Sequence, residues 1–240
     1  KTFLKAQNEF TDYDFEGSGM SVLLDVLAYN THYLGFNANM LANEMFLDSA
    51  SIRSSIVSHA KTLGYVPSSA RAAKATVDVT LNTNSSTATM PAGTVFSTKV
   101  GDTTFQFSTI EAFTKSNTGN SIPFVGVDIY EGTFITTRYT VDSSDIDQRF
   151  LLTDNRADTS TLIVKVQTSS SDSTTTTFTE ATDITQVTAG SNVFFLQEVE
   201  AGLFEVYFGD GVIGTALSDD NIVILTYVVS NKSAANGASI

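Results

Sequence analysis

The sequence predicts an α+β protein: an N-terminal helical segment with two helices, one of them long, followed by a mainly antiparallel β-rich region. Three observations support this fold class. Apolar residues recur with three-and-four spacing through residues 17–46 and again through residues 52–63, which is the spacing of helix faces. Gly64 and Pro67 then interrupt the helical pattern. From Thr76 onward the apolar period changes to two, as it does in half-buried strands.

The first helix carries two apolar stripes. Ser18 is its candidate N-cap, and its pattern ends near Phe46. A helix that is apolar on more than one side is buried in a multi-helix core, and no other part of the chain looks helical enough to supply one. We therefore predict that other chains cover the stripes. The predicted interface residues are Met20, Leu23, Leu24, Val26, Leu27, Tyr29, Tyr33, Leu34, Phe36, Met40, Leu41 and Met45.

The second helix is predicted to begin after a cap at Asp48 or Ser49 and to end at Gly64, which supplies a left-handed C′ position. Pro67 cannot continue a helix. The predicted division of the chain is therefore a helical bundle-forming segment at 1–66, a linker at 67–75 and a β-rich region at 76–240. We expect the natural chain to continue into a further C-terminal domain.

The β-rich region contains runs of Val, Ile, Thr, Tyr and Phe separated by Gly, Asn, Asp and Ser, which favours antiparallel strands. A Ser/Thr-rich tract at 168–177 is typical of a flexible, solvated loop or of a hairpin tip. Gly209, Asp210 and Gly211 lie between two apolar runs and predict a tight turn that needs positive φ. Strands are predicted at residues 76–82, 94–97, 103–108, 124–131, 133–141, 161–166, 193–198, 203–208 and 222–229.

The formal charge of −13 is unevenly distributed, with −1 on residues 1–75 and −12 on residues 76–240. So negative a surface repels nucleic-acid phosphates and anionic membranes, and we predict neither as a direct partner. The absence of cysteine excludes disulfides and thiolate metal sites. No apolar run approaches the roughly 20 residues of a membrane span, so no membrane insertion is expected.

Candidates for chemistry are few. His32 and His59 both fall on predicted helices, outside any metal-binding spacing, so packing or an interface is the favoured role for each. The sequence predicts no catalytic residue, no metal site and no cofactor. The carboxylates that could bind calcium, and that are equally typical of turns, are Asp142, Asp145, Asp147, Asp219 and Asp220.

Several motifs resemble those of the inner baseplate wedge protein of contractile-tailed bacteriophages, within the baseplate J-like group. They occur in the same order as in that family and cover both halves of the chain. The motifs are YDFEGS (13–18), LLDVLAYNT (23–31), EMFLDSA (44–50), HAKTLGYVP (59–67), YFGDGVIG (207–214), YVVSN (227–231) and AANG (234–237).

This resemblance implies a structural protein of the virion, located in the tail baseplate and assembled in the host cytoplasm. In the family, two copies pair with one larger wedge subunit, their N-terminal helices form a bundle, and the β-rich parts form a branching unit. The expected partners are therefore a second copy, the larger wedge subunit and the sheath-initiating wedge component. The implied role is mechanical: to hold the wedge together and to transmit baseplate rearrangement to the contractile sheath.

Two other functions remain compatible with the residues alone. One is a calcium- or glycan-binding β-module carried on a helical stalk, which calcium would stabilise against unfolding. The other is a tail-associated glycoside hydrolase, which would need two carboxylates roughly 5–9.5 Å apart in a cleft. No motif in the sequence favours the hydrolase.

Overall fold

A computed structural model describes Ala6, residues 19–145 and residues 147–237, without the side chain of Met20. The predicted cap at Ser18 lies outside these residues. The chain divides into two compact units, Lys1–Tyr65 and Val66–Ile240. In the described part, the first unit is helical and the second is built of strands, so the predicted α+β class is confirmed.

The helical unit contains helix α1 (Gly19–Glu44) and helix α2 (Arg53–Thr62). The predicted cap of α2 at Asp48 or Ser49 is wrong, because the N-cap residue is Ile52, three or four residues later, and Ile52 makes no side-chain cap hydrogen bond. The Glu44 carboxylate takes over that role. It accepts hydrogen bonds from the backbone N–H of Ser51 at 2.9 Å and of Ile52 at 3.2 Å.

Helix α2 ends in a Schellman motif. The N–H of Gly64 donates to the Lys61 carbonyl at 2.9 Å, and the N–H of Tyr65 donates to the Ala60 carbonyl at 3.1 Å. Gly64 has φ of 74°, which a residue without Cβ adopts readily. The motif therefore closes the carbonyl end of the helix within the backbone itself.

The β unit contains thirteen strands among its described residues. They are β1 (Lys74–Asn82), β2 (Thr87–Met90), β3 (Val95–Val100), β4 (Thr103–Ser108), β5 (Phe113–Ser116), β6 (Ser121–Glu131), β7 (Thr133–Thr140), β8 (Phe150–Leu151), β9 (Ala157–Gln167), β10 (Thr175–Glu180), β11 (Val193–Glu198), β12 (Phe204–Phe208) and β13 (Ile222–Val229).

The first β layer is an antiparallel sheet in the order β1-β6-β4-β3, accompanied by the β2-β5 pair. A bulge between Val125 and Gly126 of β6 keeps Phe124 and Val127 both on the buried face, although they are three positions apart. Gly126 has φ of 71°, and its N–H donates to the Asp78 carboxylate at 2.7 Å. Val125 is left 70% exposed.

The second β layer is a seven-stranded sheet in the order β7-β13-β9-β10-β11-β12-β8. All its neighbours are antiparallel except β10 and β11, which pair in parallel through two residues each. Its core includes Val164, Val223, Leu225 and Tyr227, none of which is solvent-accessible. The predicted, mainly antiparallel arrangement is thus confirmed, with this one parallel pair as the exception.

Residues 168–174 connect the antiparallel strands β9 and β10, as predicted for a hairpin tip, but the predicted tract extends three residues too far. Residues 175–177 open β10 and pair with β9, and Phe178 brings the strand into the core at 5% exposure. Threonine is a good strand former, and Phe178 supplies the buried contact. The short strands β2, β5 and β8 were also not predicted.

Candidate protein interaction surface

Helix α1 presents an apolar surface in the isolated chain. Phe36 is 59% exposed and Leu41 is 68% exposed. Leu24 is half-buried, and the side chain of Met20 lies outside the described residues. The other predicted interface residues are all exposed, namely Leu23, Val26, Leu27, Tyr29, Tyr33, Leu34, Met40 and Met45. An exposed apolar surface that is contiguous along a helix is typical of sites where one protein binds another.

The two apolar stripes are continuous because α1 carries few charges. Within Gly19–Glu44, Asp25 and the terminal Glu44 are the only Asp, Glu, Lys or Arg residues in the sequence. A solvated helix has a charged face opposite its apolar one, and α1 has none. Full burial of an aliphatic or aromatic side chain contributes about 1.5–3 kcal/mol, so several such contacts along α1 could hold a protein complex together.

Tyr29, His32 and Tyr33 form a polar and aromatic cluster on α1. The Tyr29 hydroxyl donates to the Tyr33 hydroxyl at 2.9 Å, and their ring centroids are 4.5 Å apart. This hydrogen bond raises the pKa of Tyr29, with a smaller contribution from desolvation. His32 packs edge-on to Tyr33 at 6.3 Å between ring centroids. Such aromatic groups, apolar in body and polar at the tip, are enriched at interfaces.

The corner between α1 and α2 is organised by Glu44, which sequence reasoning missed as a functional residue. The pKa of Glu44 is lowered from 4.5 to about 2, because the hydrogen bonds to its carboxylate outweigh its desolvation. The Ser51 N–H contributes most, followed by the Ser51 hydroxyl, Ser55 and the Ile52 N–H. The Nε2 atom of His59 lies 2.9 Å from the Glu44 carbonyl oxygen. The sequence does contain a signal for this role of Glu44. It is a single carboxylate at the end of an apolar helix, followed within seven residues by Ser49 and Ser51.

The loop at residues 209–214 contains the tight turn predicted at Gly209, Asp210 and Gly211, and its tip is exposed to solvent. One Asp210 carboxylate oxygen accepts from the N–H groups of Val212 and Ile213, both at 2.9 Å, and these bonds lower the pKa of Asp210. Gly211 has φ of 87°. A Cβ on Gly209 would overlap the Ile213 carbonyl oxygen, so the turn requires glycine there as well.

Three of the five acidic residues that were considered for calcium accept hydrogen bonds from loop residues. Asp142 accepts from the N–H and hydroxyl of Ser144, Asp145 accepts from the N–H of Asp147, and Asp219 accepts from the N–H of Ser143. Within residues 19–145 and 147–237, no cluster of three or more His, Cys, Asp or Glu side chains could hold a metal ion. No described helix combines the length and apolar character needed to cross a membrane.

Comparison with known proteins gives two matches. Residues 1–65 match the family model described as the helical domain of gp6-like baseplate wedge proteins. The chain is also 30% identical, over 258 aligned positions, to the baseplate wedge protein gp6 of Enterobacteria phage T4. That alignment covers 98% of this chain and 38% of the T4 protein, so the chain spans well under half of its relative.

The two matches agree with the sequence motifs on which the resemblance was based. The family model falls on the helical unit with the exposed α1 surface, and the T4 relative extends the similarity through the β unit. The recognition from sequence is therefore confirmed, and the chain is a relative of the gp6-like baseplate wedge proteins.

Proposed function

We propose that this chain is a structural component of a phage tail baseplate wedge, and that it assembles through α1 without catalysing a reaction. One observation carries the proposal: α1 exposes apolar side chains around its circumference in a region that matches the helical domain of gp6-like wedge proteins. The T4 relative is named a baseplate wedge protein, which places the proposed site of action in the virion tail.

The proposed partners are a second copy of this chain, a larger wedge subunit and the sheath-initiating wedge component. Two apolar stripes on one helix suit a bundle of three helices, because each helix then packs against two neighbours. The β unit would supply further wedge contacts. Together these contacts would hold the wedge and transmit its rearrangement to the contractile sheath.

The proposal is tested by the molar mass of the purified chain, measured by size-exclusion chromatography with light scattering over a wide concentration range. We expect a dimer or larger species for the wild type and a monomer for Phe36→Asp. An unpaired charge buried among apolar side chains costs about 3 kcal/mol or more, which weakens association at least about a hundredfold.

Asn37→Asp is the matched control, because it adds the same charge to the same helix at an exposed position that belongs to neither apolar stripe. It should keep the wild-type mass. Each variant is then mixed with the other wedge subunits and the complex is isolated. If Phe36→Asp retains the wild-type mass and still enters the wedge complex, α1 is not the interface.

A further inference from the structure

The outer face of the seven-stranded sheet carries two cations side by side across three adjacent strands. Ile224 of β13 pairs with Arg138 of β7 on one side and with Lys165 of β9 on the other. Residues paired directly across strands lie on the same face of a sheet, so these three side chains form a row. Adjacent strands are about 4.8 Å apart, so the Cα atoms of the two cations are separated by about 10 Å.

The rows on either side of Ile224 contain no carboxylate. Their members are Thr140, Ile222 and Gln167 on one side and Thr136, Thr226 and Ile163 on the other. We call these three rows the cationic face. The alternate residues of β13, Val223 and Leu225, lie on the opposite side of the sheet in its core, so the cationic face is the side turned away from that core.

The two cations of this face are exposed, and Ile224 between them is partly exposed. In the described part of the chain, neither Arg138 nor Lys165 lies within ion-pair distance of a carboxylate. Other cations of the β unit do have such partners: Arg149 pairs with a buried glutamate, and Arg156 pairs with an aspartate two residues away. The cationic face thus presents positive charge that its own chain does not neutralise.

Protection of a sheet edge accounts for only one of these cations. A charged side chain on an edge strand discourages aggregation, and β7 is an edge strand, so Arg138 fits that role. Strand β9 lies inside the sheet, between β13 and β10, where there is no edge to protect. Lys165 therefore needs another explanation, and a negatively charged ligand shared with Arg138 supplies one.

The ligand that suits this face is a protein segment with two carboxylates about 10 Å apart and an aliphatic side chain between them. Arg138 can bind one carboxylate through two hydrogen bonds, and Lys165 can pair with the other. The chain as a whole carries −13 and repels acidic partners, so this face is where such a segment would be accepted. Two cations neutralise too few phosphates to favour a nucleic acid.

A second copy of this chain is a poorer fit than an unlike chain. At the centre of a twofold interface a surface meets its own copy, so a pair centred on this face would bring four cations together. An unlike chain can instead present carboxylates alone.

We propose that the cationic face binds an acidic segment of another wedge subunit, with its carboxylates on Arg138 and Lys165 and an aliphatic side chain against Ile224. This inference rests on the proposed wedge function. It adds a contact on the β unit, with a partner of defined chemistry, to the contact made by α1.

The natural absence of cysteine allows a label to be attached at one chosen position. Thr177 of β10 is exposed and pairs with Lys165, so Thr177→Cys with a benzophenone maleimide places the label beside the cationic face. The labelled chain is assembled with the other wedge subunits and irradiated, and the cross-linked peptides are identified by mass spectrometry. We expect the main product to join position 177 to an acidic segment of another subunit. Thr80→Cys, at an exposed position of β1, is the matched control and should not give this product.

Charge variants measure whether the two cations direct that contact. In the Thr177→Cys chain, Arg138→Gln together with Lys165→Gln should lower the yield of the product about fivefold or more, because two exposed ion pairs are lost together. Lys99→Gln with Lys115→Gln is the matched control, because it changes the net charge equally at exposed positions of β3 and β5. It should keep the original yield.

Three results would overturn the inference. One is a main cross-link from position 177 to a second copy of this chain, and another is a main cross-link to a segment without carboxylates. The third is a yield that Arg138→Gln with Lys165→Gln leaves unchanged, or that the control pair lowers as much.

The inference and the proposed function fail in different ways. If the wild type enters the wedge complex and Phe36→Asp does not, yet Thr177→Cys gives no more product than Thr80→Cys, the cationic face is not a contact and α1 stands as the interface. If the wild type enters no complex with the other subunits, both proposals fail. An acidic cross-link that survives Phe36→Asp would support the cationic face and show that α1 is not required for assembly.

Discussion

Glu131 at the end of β6 accepts two hydrogen bonds from Asn231, which follows β13 a hundred residues later. The Asn231 backbone N–H donates to one carboxylate oxygen at 2.9 Å, and the Asn231 side-chain amide donates to the other at 2.7 Å. Glu131 has no solvent-accessible surface. Because β6 belongs to the first β layer and β13 to the second, this buried carboxylate joins the two layers.

Other contacts at the same place strengthen the junction. Ala235 is 1% exposed and packs with the core of the first layer, although it follows the last strand of the second. Asp158 in β9 accepts from the Ala72 N–H, which precedes β1, at 2.8 Å. The chain after β13 therefore contacts the first β layer, and the chain before β1 contacts the second.

Asn231→Ala should destabilise the β unit. The backbone hydrogen bond to Glu131 remains, but the side-chain bond is lost and one buried carboxylate oxygen is left without it. A hydrogen bond to a charged group contributes about 1.5–3 kcal/mol, so the melting temperature should fall by about 4–8 °C. Asn236→Ala is the control, because it removes the same kind of side chain from the same segment and leaves both Asn231 hydrogen bonds to Glu131 in place; it should melt like the wild type. Equal melting of both variants would mean that the Glu131 contact contributes nothing.

Gly132→Ala should be more severe, because this glycine connects β6 to β7 where backbone comes close. Its φ is 128°, and a Cβ would overlap the Val229 carbonyl oxygen and approach a Val228 methyl to 2.9 Å. Strain together with overpacking costs about 3 kcal/mol or more, so we expect the midpoint of urea unfolding to fall or the soluble yield to collapse.

The control for Gly132→Ala is Gly119→Ala, where φ is 87° but nothing lies within 4 Å of the added Cβ. It isolates the cost of positive φ, about 1–2 kcal/mol. A Gly132→Ala chain no less stable than Gly119→Ala would show that the backbone around Val229 can move aside.

Local patterns predicted the elements of this fold well where the pattern was long. The stripes of α1 and the alternation in β13 are sustained over many residues, and both elements exist. The α2 cap failed because its acceptor is Glu44, on the preceding helix, whereas the prediction considered the usual neighbouring residues, Asp48 and Ser49. Glu44 lies seven residues before Ser51 in the sequence, which is farther than the local cap patterns extend.

The β unit was predicted less completely because its missing parts depend on distant partners. Strand β8 has two residues and exists because β12 pairs with it more than fifty residues later. Two other features depend in the same way on how the fold brings separate segments together: the parallel pairing of β10 with β11, and the contact of Glu131 with Asn231. The candidate surface was easier to predict, because the apolar character of α1 can be seen in its sequence without any knowledge of tertiary contacts.

Calcium should leave the stability of the chain unchanged. The carboxylates of Asp142, Asp145 and Asp219 already accept hydrogen bonds from loop N–H groups, which favours turns over ligand positions. We expect the melting temperature at about 5 mM CaCl₂ to match that at equal MgCl₂ within about 1 °C. A calcium-specific rise of several degrees would instead support the calcium-binding β-module.

The corner between α1 and α2 should loosen in acid because of Glu44. Its pKa in the folded chain is about 2, well below the ordinary value of 4.5, so the unfolded state binds more protons between these values. The stabilisation by this carboxylate is therefore complete above about pH 4.5 and is lost as the pH falls toward 2. The amide proton shifts of Ser51 and Ile52, which donate to Glu44, should report a titration centred near pH 2.

Glu44→Gln should abolish that titration and weaken the corner at every pH, because an amide oxygen is a weaker acceptor than a carboxylate. Asp48→Asn is the matched control, since it removes a carboxylate from the same connection without touching Glu44. It should leave the titration of the Ser51 and Ile52 amides in place. If Glu44→Gln keeps the wild-type acid response and Asp48→Asn removes it, the cap predicted near Asp48 is the one that holds the corner in solution.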